Sequence, residues 1–273
     1  MEAMRSLQLQ QYHNLFLSQN KRADGRGFED FREIEVELNT IETADGSCAV
    51  RFGNTCVICG VSAMIVKPSP AEPDKGLIEI VCKLPPNALH DFKWSRDAFA
   101  DQEVILSSKL KEIVSSSNSL DLKQLNVEEG NHVWSLSLEI IVLDYDGNIL
   151  DTCLTAVLGC LACTSLPVVE VGEETDNPLT QFVFKKERIP LVLKSFPFST
   201  TFAVFGEDVV VSDPTAEEES LSGSSVSLVI SYPDQLIVSI IKDGGNVIGD
   251  DMLLSKVVFA QNRTRILQEK MTK

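Results

Sequence analysis

The stretch Trp134-Ser135-Leu136-Ser137-Leu138-Glu139-Ile140-Ile141-Val142-Leu143 decides the fold class. Trp134, Leu136, Leu138, Ile140 and Val142 recur at every second position, so one face of an extended strand is apolar and must be buried. Asp144-Tyr145-Asp146-Gly147-Asn148 turns the chain directly afterwards, with Gly147 free to take backbone angles that a β-carbon opposes. Beyond the turn the period changes. Leu154, Val157, Leu158 and Leu161 form a helical stripe ended by Pro167, with Asp151 or Thr152 as the expected N-cap. Strand, tight turn and apolar helix in succession predict a sheet covered by helices.

Working outward toward the start, Leu7 to Leu17 fits a short amphipathic helix, and Lys21-Arg22-Ala23-Asp24-Gly25-Arg26-Gly27 is polar and glycine-broken, hence a loop. Ile34 to Leu38 alternates, Ala44-Asp45-Gly46-Ser47 turns, Cys48 to Phe52 follows, and after Gly53-Asn54 comes the β-branched run Thr55 to Val61. That succession predicts an antiparallel meander. The proline-rich stretch 68–75 is a loop, Leu77 to Leu84 a further strand closed by Pro85-Pro86, and Phe99, Leu106, Leu110 and Ile113 mark a helix with one face on the core.

Toward the end, residues 168–178 are acidic and turn-rich, and then the pattern begins again. Strands are expected at Phe182 to Phe184, Thr201 to Phe205, Val209 to Ser212, Val226 to Ile230 and Leu236 to Lys242. A last helix from Asp250 to Met271 should turn Leu254, Val257, Val258 and Gln261 inward and place Arg263, Arg265, Lys270 and Lys273 where they complement the helix dipole. The expectation is an α+β protein of two sheet-plus-helix modules. Its divisions are an N-terminal helix and arm over 1–28, a first module over 29–167, a linker over 168–190, and a second module with the C-terminal helix over 191–273.

Composition narrows the classes. With 44% hydrophobic and 23% charged residues, the 273-residue chain can build a core rather than remain disordered. The net charge of −16, from 40 acidic against 24 basic residues, opposes a phosphodiester backbone over the surface as a whole. Any RNA contact is therefore local or shared with a more basic partner. The first residues lack an apolar leader and no stretch reaches the roughly 18 apolar residues of a membrane span, so a cytosolic or nuclear location is expected. Seven cysteines, including the pairs Cys56/Cys59 and Cys160/Cys163, sit in apolar strings and read as buried thiols rather than as a disulfide framework or zinc site. No nucleotide-cofactor fingerprint is present, and no cofactor is expected.

Arg22-Ala23-Asp24-Gly25-Arg26, Ala44-Asp45-Gly46-Ser47 and Phe52-Gly53-Asn54-Thr55-Cys56-Val57 resemble, in order and spacing, a motif series of the ribonuclease PH superfamily. The run from Leu143 to Asp151 and Asp213-Pro214-Thr215-Ala216-Glu217-Glu218-Glu219 resemble the branch that holds the inactive ring subunits of the eukaryotic exosome; Asp74-Lys75-Gly76 and Leu84-Pro85-Pro86 point to one subunit type within it. The resemblance runs from about residue 20 to about 265. It implies a ribonuclease PH-like fold whose first module is like domain 2 of ribosomal protein S5. It also implies a six-membered ring of related subunits, RNA-binding cap subunits and single-stranded RNA as partners, and residence in nucleus, nucleolus and cytoplasm. The implied work is structural support of 3′-to-5′ RNA processing and degradation, in ribosomal RNA maturation and messenger decay, with no membrane partner.

Active members resemble one another in a small-residue loop that cradles phosphate at the start of the middle helix. Here Ile149, Leu150 and Asp151 fill that loop, and a carboxylate there opposes an anion. Asp213 and Glu219 match the acidic pair that holds Mg²⁺ in active members, and read as a degenerate remnant rather than a metal site. Lys93 and Arg96, flanking Trp94, are the candidate RNA contacts. Asn131 stands where related subunits carry lysine, and His132 has no catalytic partner nearby in sequence. No catalytic residue is assigned. The alternative, a phosphate-dependent 3′ exoribonuclease with a divergent site, rests on Asp213 and Glu219.

Overall fold

A computed structural model describes residues 2–17, 19–88, 96–171, 182–206 and 209–271. Helix α1 (Glu2–Leu17) leads through an arm to β1 (Ile34–Leu38), β2 (Gly46–Phe52), β3 (Thr55–Val66) and β4 (Leu77–Lys83). Then come α2 (Arg96–Ser116), β5 (Asn126–Glu128), β6 (His132–Asp144), α3 (Ile149–Cys163), and a hairpin of β7 (Ser165–Val171) and β8 (Phe182–Pro190). The second module comprises β9 (Phe196–Phe205), β10 (Val209–Ser212), α4 (Ala216–Leu221), β11 (Ser224–Tyr232), β12 (Ile237–Gly244) and α5 (Asp250–Met271).

The first sheet runs β1-β2-β3-β6-β4, with β5 also on β6. Neighbours are antiparallel except β4 and β6, which run parallel and are joined across α2, as a parallel pair requires a long crossover. On β6 the alternation read from the sequence holds: Trp134, Leu136, Leu138, Ile140 and Val142 are buried, whereas Glu139, Ile141 and Leu143 face outward. The second sheet is wholly antiparallel, in the order β10-β9-β11-β12.

Helix α3 lies between the two sheets. It packs on β2 and β3 on one side and on β9 on the other, so every residue from Leu150 to Leu161 is buried. A helix buried on all faces has no solvent side to give, and each fully buried leucine along it contributes about 1.5–3 kcal/mol by removal from water. The approach to β2 is close at Gly46, where a β-carbon would stand 2.8 Å from Thr164 Cα and 2.9 Å from the Cys160 carbonyl. Cys59 and Cys160 are buried as free thiols, while Cys56 and Cys163 are half-buried. Burial pushes the Cys48 thiol up to about 12, with Cys160 and Cys163 adding to the shift, so it stays protonated.

Three expectations change. The stretch expected as a linker over 168–190, with a strand only at Phe182 to Phe184, carries most of the β7/β8 hairpin, with Leu166 opposite Ile189 and Val171 opposite Phe182; residues 172–181 lie outside the described ones. The N-cap of α3 is Asn148, in the left-handed region at φ 55°, not Asp151 or Thr152. On α5 the buried side is Ala260, Arg263, Thr264, Leu267 and Met271, and Leu254 and Val258 are 64% and 60% exposed rather than inward. The helix is apolar over a wider arc than the sheet beneath it covers.

Candidate functional site

The arm from Lys21 to Glu33, whose stretch Lys21 to Gly27 was expected as a loop, has no helix or strand and forms the joint between the modules. Arg22 is 1% exposed. Its Nε donates to Glu218 Oε1 at 2.9 Å, its Nη1 to the Ser212 carbonyl at 2.8 Å and its Nη2 to both the Asp213 carbonyl (2.9 Å) and Glu218 Oε2. The arm backbone pairs as well, Ser212 N–H donating to the Phe28 carbonyl at 2.8 Å. Phe31 stacks on Phe259 with ring centroids 5.6 Å apart, and the Arg263 guanidinium lies 3.9 Å from the centre of the Phe31 ring.

Asp213 sits at the centre of this joint, 1% exposed and in the left-handed region at φ 49°, which aspartate and asparagine tolerate better than other side chains. Its Oδ1 accepts from Arg32 Nη2 (2.8 Å) and Asn148 Nδ2 (2.7 Å). Its Oδ2 accepts from the Arg32 backbone N–H (2.8 Å), Arg32 Nε (3.0 Å) and Arg26 Nη1 (3.1 Å). A carboxylate offers about four lone-pair sites, and donors from the protein fill them. Arg32 also reaches the turn after β6, donating to the Asp146 carbonyl at 2.6 Å and the Gly147 carbonyl at 3.3 Å.

Glu219 takes a different position. Its Oε2 accepts from the Tyr145 hydroxyl at 2.6 Å and its Oε1 from the Asn148 N–H at 2.7 Å. Asn148 therefore links the two carboxylates, by its side chain to Asp213 and by its backbone to Glu219. The structure brings the expected acidic pair to one joint, and there protein donors occupy the coordination positions that a hard cation needs. The residues do not fit Mg²⁺. Among the described residues no group of three or more His, Cys, Asp or Glu is arranged to hold a metal.

Asp151 does not face outward into a phosphate loop, as its place in the sequence suggested. It is 2% exposed and turned toward β9, accepting from Thr201 N–H at 2.9 Å and Thr201 Oγ1 at 2.8 Å, with Ser227 Oγ next in line at 2.8 Å. Beside the joint lies a cavity of about 320 Å³, walled in part by Leu106, Ile149, Leu150, Tyr145 and Glu219. Lys109 is the one cation among its described lining residues, and it is held by Asp243 at 2.8 Å. Phosphate entering there meets aliphatic walls, the hydroxyl-bearing Ser220, Ser222, Ser225 and Ser227, two carboxylates in Glu219 and Asp243, and an ammonium already paired.

Charge at the joint follows from burial and neighbours. Burial alone would raise the Asp213 carboxyl, but the hydrogen bonds and charge of Arg32, with Asn148 in support, hold it at about 2. Burial pushes Glu219 up, only partly offset by Tyr145, Asn148 and Arg32, and pushes Asp151 up against Ser199 and Thr201. Burial also brings the Arg263 guanidinium down to about 10, opposed by Asp213 and Asp151. A carboxyl whose folded value lies below its unfolded value stabilises the fold above the unfolded value, and that stability is lost as pH falls through the folded one. For Asp213 the window runs from the unfolded value of 3.8 down to about 2. Urea unfolding of wild type and Asp213→Asn should therefore show a stability gap that is constant at pH 5–7 and shrinks, by about 2 kcal/mol in all, as the pH falls through that window. Because the Glu219 and Asp151 values are raised, acid favours their folded forms; comparing the two proteins at each pH cancels that opposing trend.

Of the candidate RNA contacts, Lys93 lies outside the described residues, and Arg96 opens α2 with nothing described of its side chain. His132 Nδ1 lies 3.1 Å from Glu128 Oε2, and its ring packs edge-on to Phe182. Lys185 and Arg188 are engaged by Glu170 and Asp45.

Residues 30–167 match domain 1 of the 3′ exoribonuclease family, and residues 195–262 match its domain 2. The chain belongs to the 3′ exoribonuclease family. It is 33% identical over 211 residues to exosome complex component Rrp42 of Methanopyrus kandleri, covering 77% of this chain and 76% of that one. It is 32% identical over 249 residues to exosome complex component rrp43 of Schizosaccharomyces pombe, covering 91% and 89%. Two solved structures share the whole architecture. A chain of an archaeal exosome core superposes with TM-score 0.83 at 28% identity, covering 100% of this chain and 99% of that chain. A chain of the Archaeoglobus fulgidus exosome with RNA bound to the active site gives 0.84 at 29% identity, covering 98% and 99%. The two family domains correspond to the two sheet-plus-helix modules, and the joint of Arg22, Arg32, Asn148 and Asp213 lies where this member of the 3′ exoribonuclease family brings them together.

Proposed function

We propose that this chain is a non-catalytic, structural subunit of a ribonuclease PH-like exosome ring, supporting 3′-to-5′ processing and degradation of RNA by the assembled complex. The observation that carries the reading is the state of Asp213: both of its oxygens are committed to Arg32, Arg26 and Asn148. In-line phosphoryl transfer needs an anion receptor and a means of spreading negative charge, whereas the cavity here, besides serine hydroxyls, offers Ile149, Leu150, Glu219 and a lysine already paired with Asp243. What remains is a scaffold that joins two modules and presents their outer surfaces to neighbours.

The comparisons support assembly with other ribonuclease PH-like subunits, since the relatives are named as exosome components and the matching chains come from exosome cores. A finer place is supported by sequence alone. Asp74-Lys75-Gly76 and Leu84-Pro85-Pro86 resemble the eukaryotic subunit called exosome component 8, and the first of these is fitted to the fold: a β-carbon on Gly76 would lie 2.6 Å from the Trp134 carbonyl. With that assignment come RNA-binding cap subunits as further partners, RNA reached through the complex with Lys93 and Arg96 as contacts, and residence in nucleus, nucleolus and cytoplasm. No helix among the described residues is long and apolar enough to cross a membrane.

The test is phosphorolysis by the complex assembled from this chain and its native partners, with the other candidate active sites disabled, phosphate and magnesium supplied, and Glu219→Gln run in parallel. Nucleoside diphosphate release should stay at background for both. Release that disappears in Glu219→Gln would restore the phosphate-dependent exoribonuclease.

A further inference from the structure

The second sheet ends on a strand whose outer edge has no partner strand among the described residues. β12 is that strand, and Ile237-Val238-Ser239-Ile240-Ile241 runs along it without a charge before Lys242. The ladder puts Ile240 opposite Leu228 and Ile237 opposite Ile230. Leu228 and Ile230 belong to the small core beneath α5, and residues paired across an antiparallel ladder share a face. Ile237 and Ile240 thus extend that core outward, yet each is 47% exposed, because α5 packs over β9 and β11.

The helix continues the same surface. Gln261 Nε2 donates to the Gln235 carbonyl at 3.1 Å, which turns that stripe of α5 toward the β11–β12 corner. Leu254 and Val258 lie seven and three residues earlier on the stripe, 64% and 60% exposed, and Leu236 at the corner is 64% exposed. Five apolar side chains therefore flank an open strand edge. The end strands of the two larger sheets other than β12 are blunted in ways that discourage pairing: β1 carries Glu35 and Glu37, β4 carries Glu79 and Lys83, and β10 is four residues long.

We propose that the open edge of β12, with Leu236, Ile237, Ile240, Leu254 and Val258 around it, is the docking surface for an edge strand of a different ribonuclease PH-like subunit. This rests on the reading of the chain as a ring subunit and adds the face by which it joins one neighbour. Main-chain hydrogen bonds along the edge supply affinity, and the apolar flank selects a strand with matching apolar side chains. A second copy is the wrong occupant, since it would press together two chains that each carry −16; the partner is a related chain of lower negative charge.

The test uses the full-length chain, tagged and purified with its natural partners. Native mass spectrometry of wild type should show related ring subunits, and Ile237→Lys with Ile240→Lys should lower the recovery of one of them at least ten-fold. Amide exchange across residues 237–243 of wild type should slow at least ten-fold on going from the isolated chain to the complex; this measurement decides the matter if the double variant misfolds. Full recovery of every subunit by a folded variant, or equal exchange in both states, overturns the docking face and leaves the ring reading standing. A protected β12 in a dimer of this chain overturns the choice of partner. Wild type that brings down no related subunit sinks the ring reading and this inference with it.

Discussion

Asp213→Ala is expected to lower unfolding stability by about 3–5 kcal/mol, the range for breaking a buried ion pair from one side. The loss does not come from the carboxylate's own contacts alone. Arg32, whose side chain is 9% exposed, would keep its charge with only the Asp146 carboxylate, 3.7 Å away and 30% exposed, left to pair with it, and Arg26, at 16%, would keep Asp24 alone. The Asn148 amide would lose its acceptor as well. Against a total of about 5–15 kcal/mol for a folded chain of ordinary stability, such a loss is a large share. Denaturant unfolding with and without a chelator separates this from a metal ligand. The joint predicts the same loss in both conditions and no effect of the chelator on wild type. A wild type stabilised by added Mg²⁺, with Asp213→Ala matching the metal-free protein, would contradict it.

Gly147→Ala is the second large effect. Gly147 has φ +76°, and an added β-carbon would lie 2.5 Å from the Pro214 carbonyl oxygen and 2.6 Å from Ala216 N. Both neighbours are backbone, so no side chain can swing aside. Conformational strain of about 1–2 kcal/mol for an L-residue in the left-handed region adds to about 1–3 kcal/mol of overpacking, giving a loss of roughly 2–5 kcal/mol. Gly25→Ala is the internal control. Its φ is +87° but nothing lies within 4 Å of the added carbon, so only the strain of about 1–2 kcal/mol remains. Thermal unfolding of the two variants side by side should show Gly147→Ala melting well below Gly25→Ala. Equal melting points would mean that the turn after β6 does not press on the segment from Pro214 to Ala216.

What could be read from the sequence followed periodicity and turn chemistry. The β6 alternation, the meander of β1 to β3, the bounds of β10 and those of α5 all follow from apolar spacing and adjacent turns. Asn148 is not legible as a helix cap because its part depends on a left-handed backbone, which the residue type permits but does not announce. Leu254 and Val258 were placed inward because helical period identifies an apolar arc but not how far the sheet beneath it reaches. The arm is the part least legible in the sequence. Three arginines at 22, 26 and 32 in a glycine-broken stretch look like solvated charge, and their partners stand about 190 positions later. The available signal was complementarity between that basic arm and the acidic run from Asp213 to Glu219, both conspicuous in the sequence.

That separation sets an order of events during synthesis. Arg32 is made 181 residues before Asp213, an interval of about 10–40 s at a translation speed of about 5–20 residues per second. Throughout it, the arm and the underside of α3 have no counterpart to close on, and three guanidinium groups wait beside a half-built core. The emerging chain is most vulnerable to aggregation and proteases late in translation, after α3 has left the ribosome and before β9 and Asp213 arrive. A nascent chain halted at about residue 190 would thus be a better client for chaperones than either a shorter or a finished one.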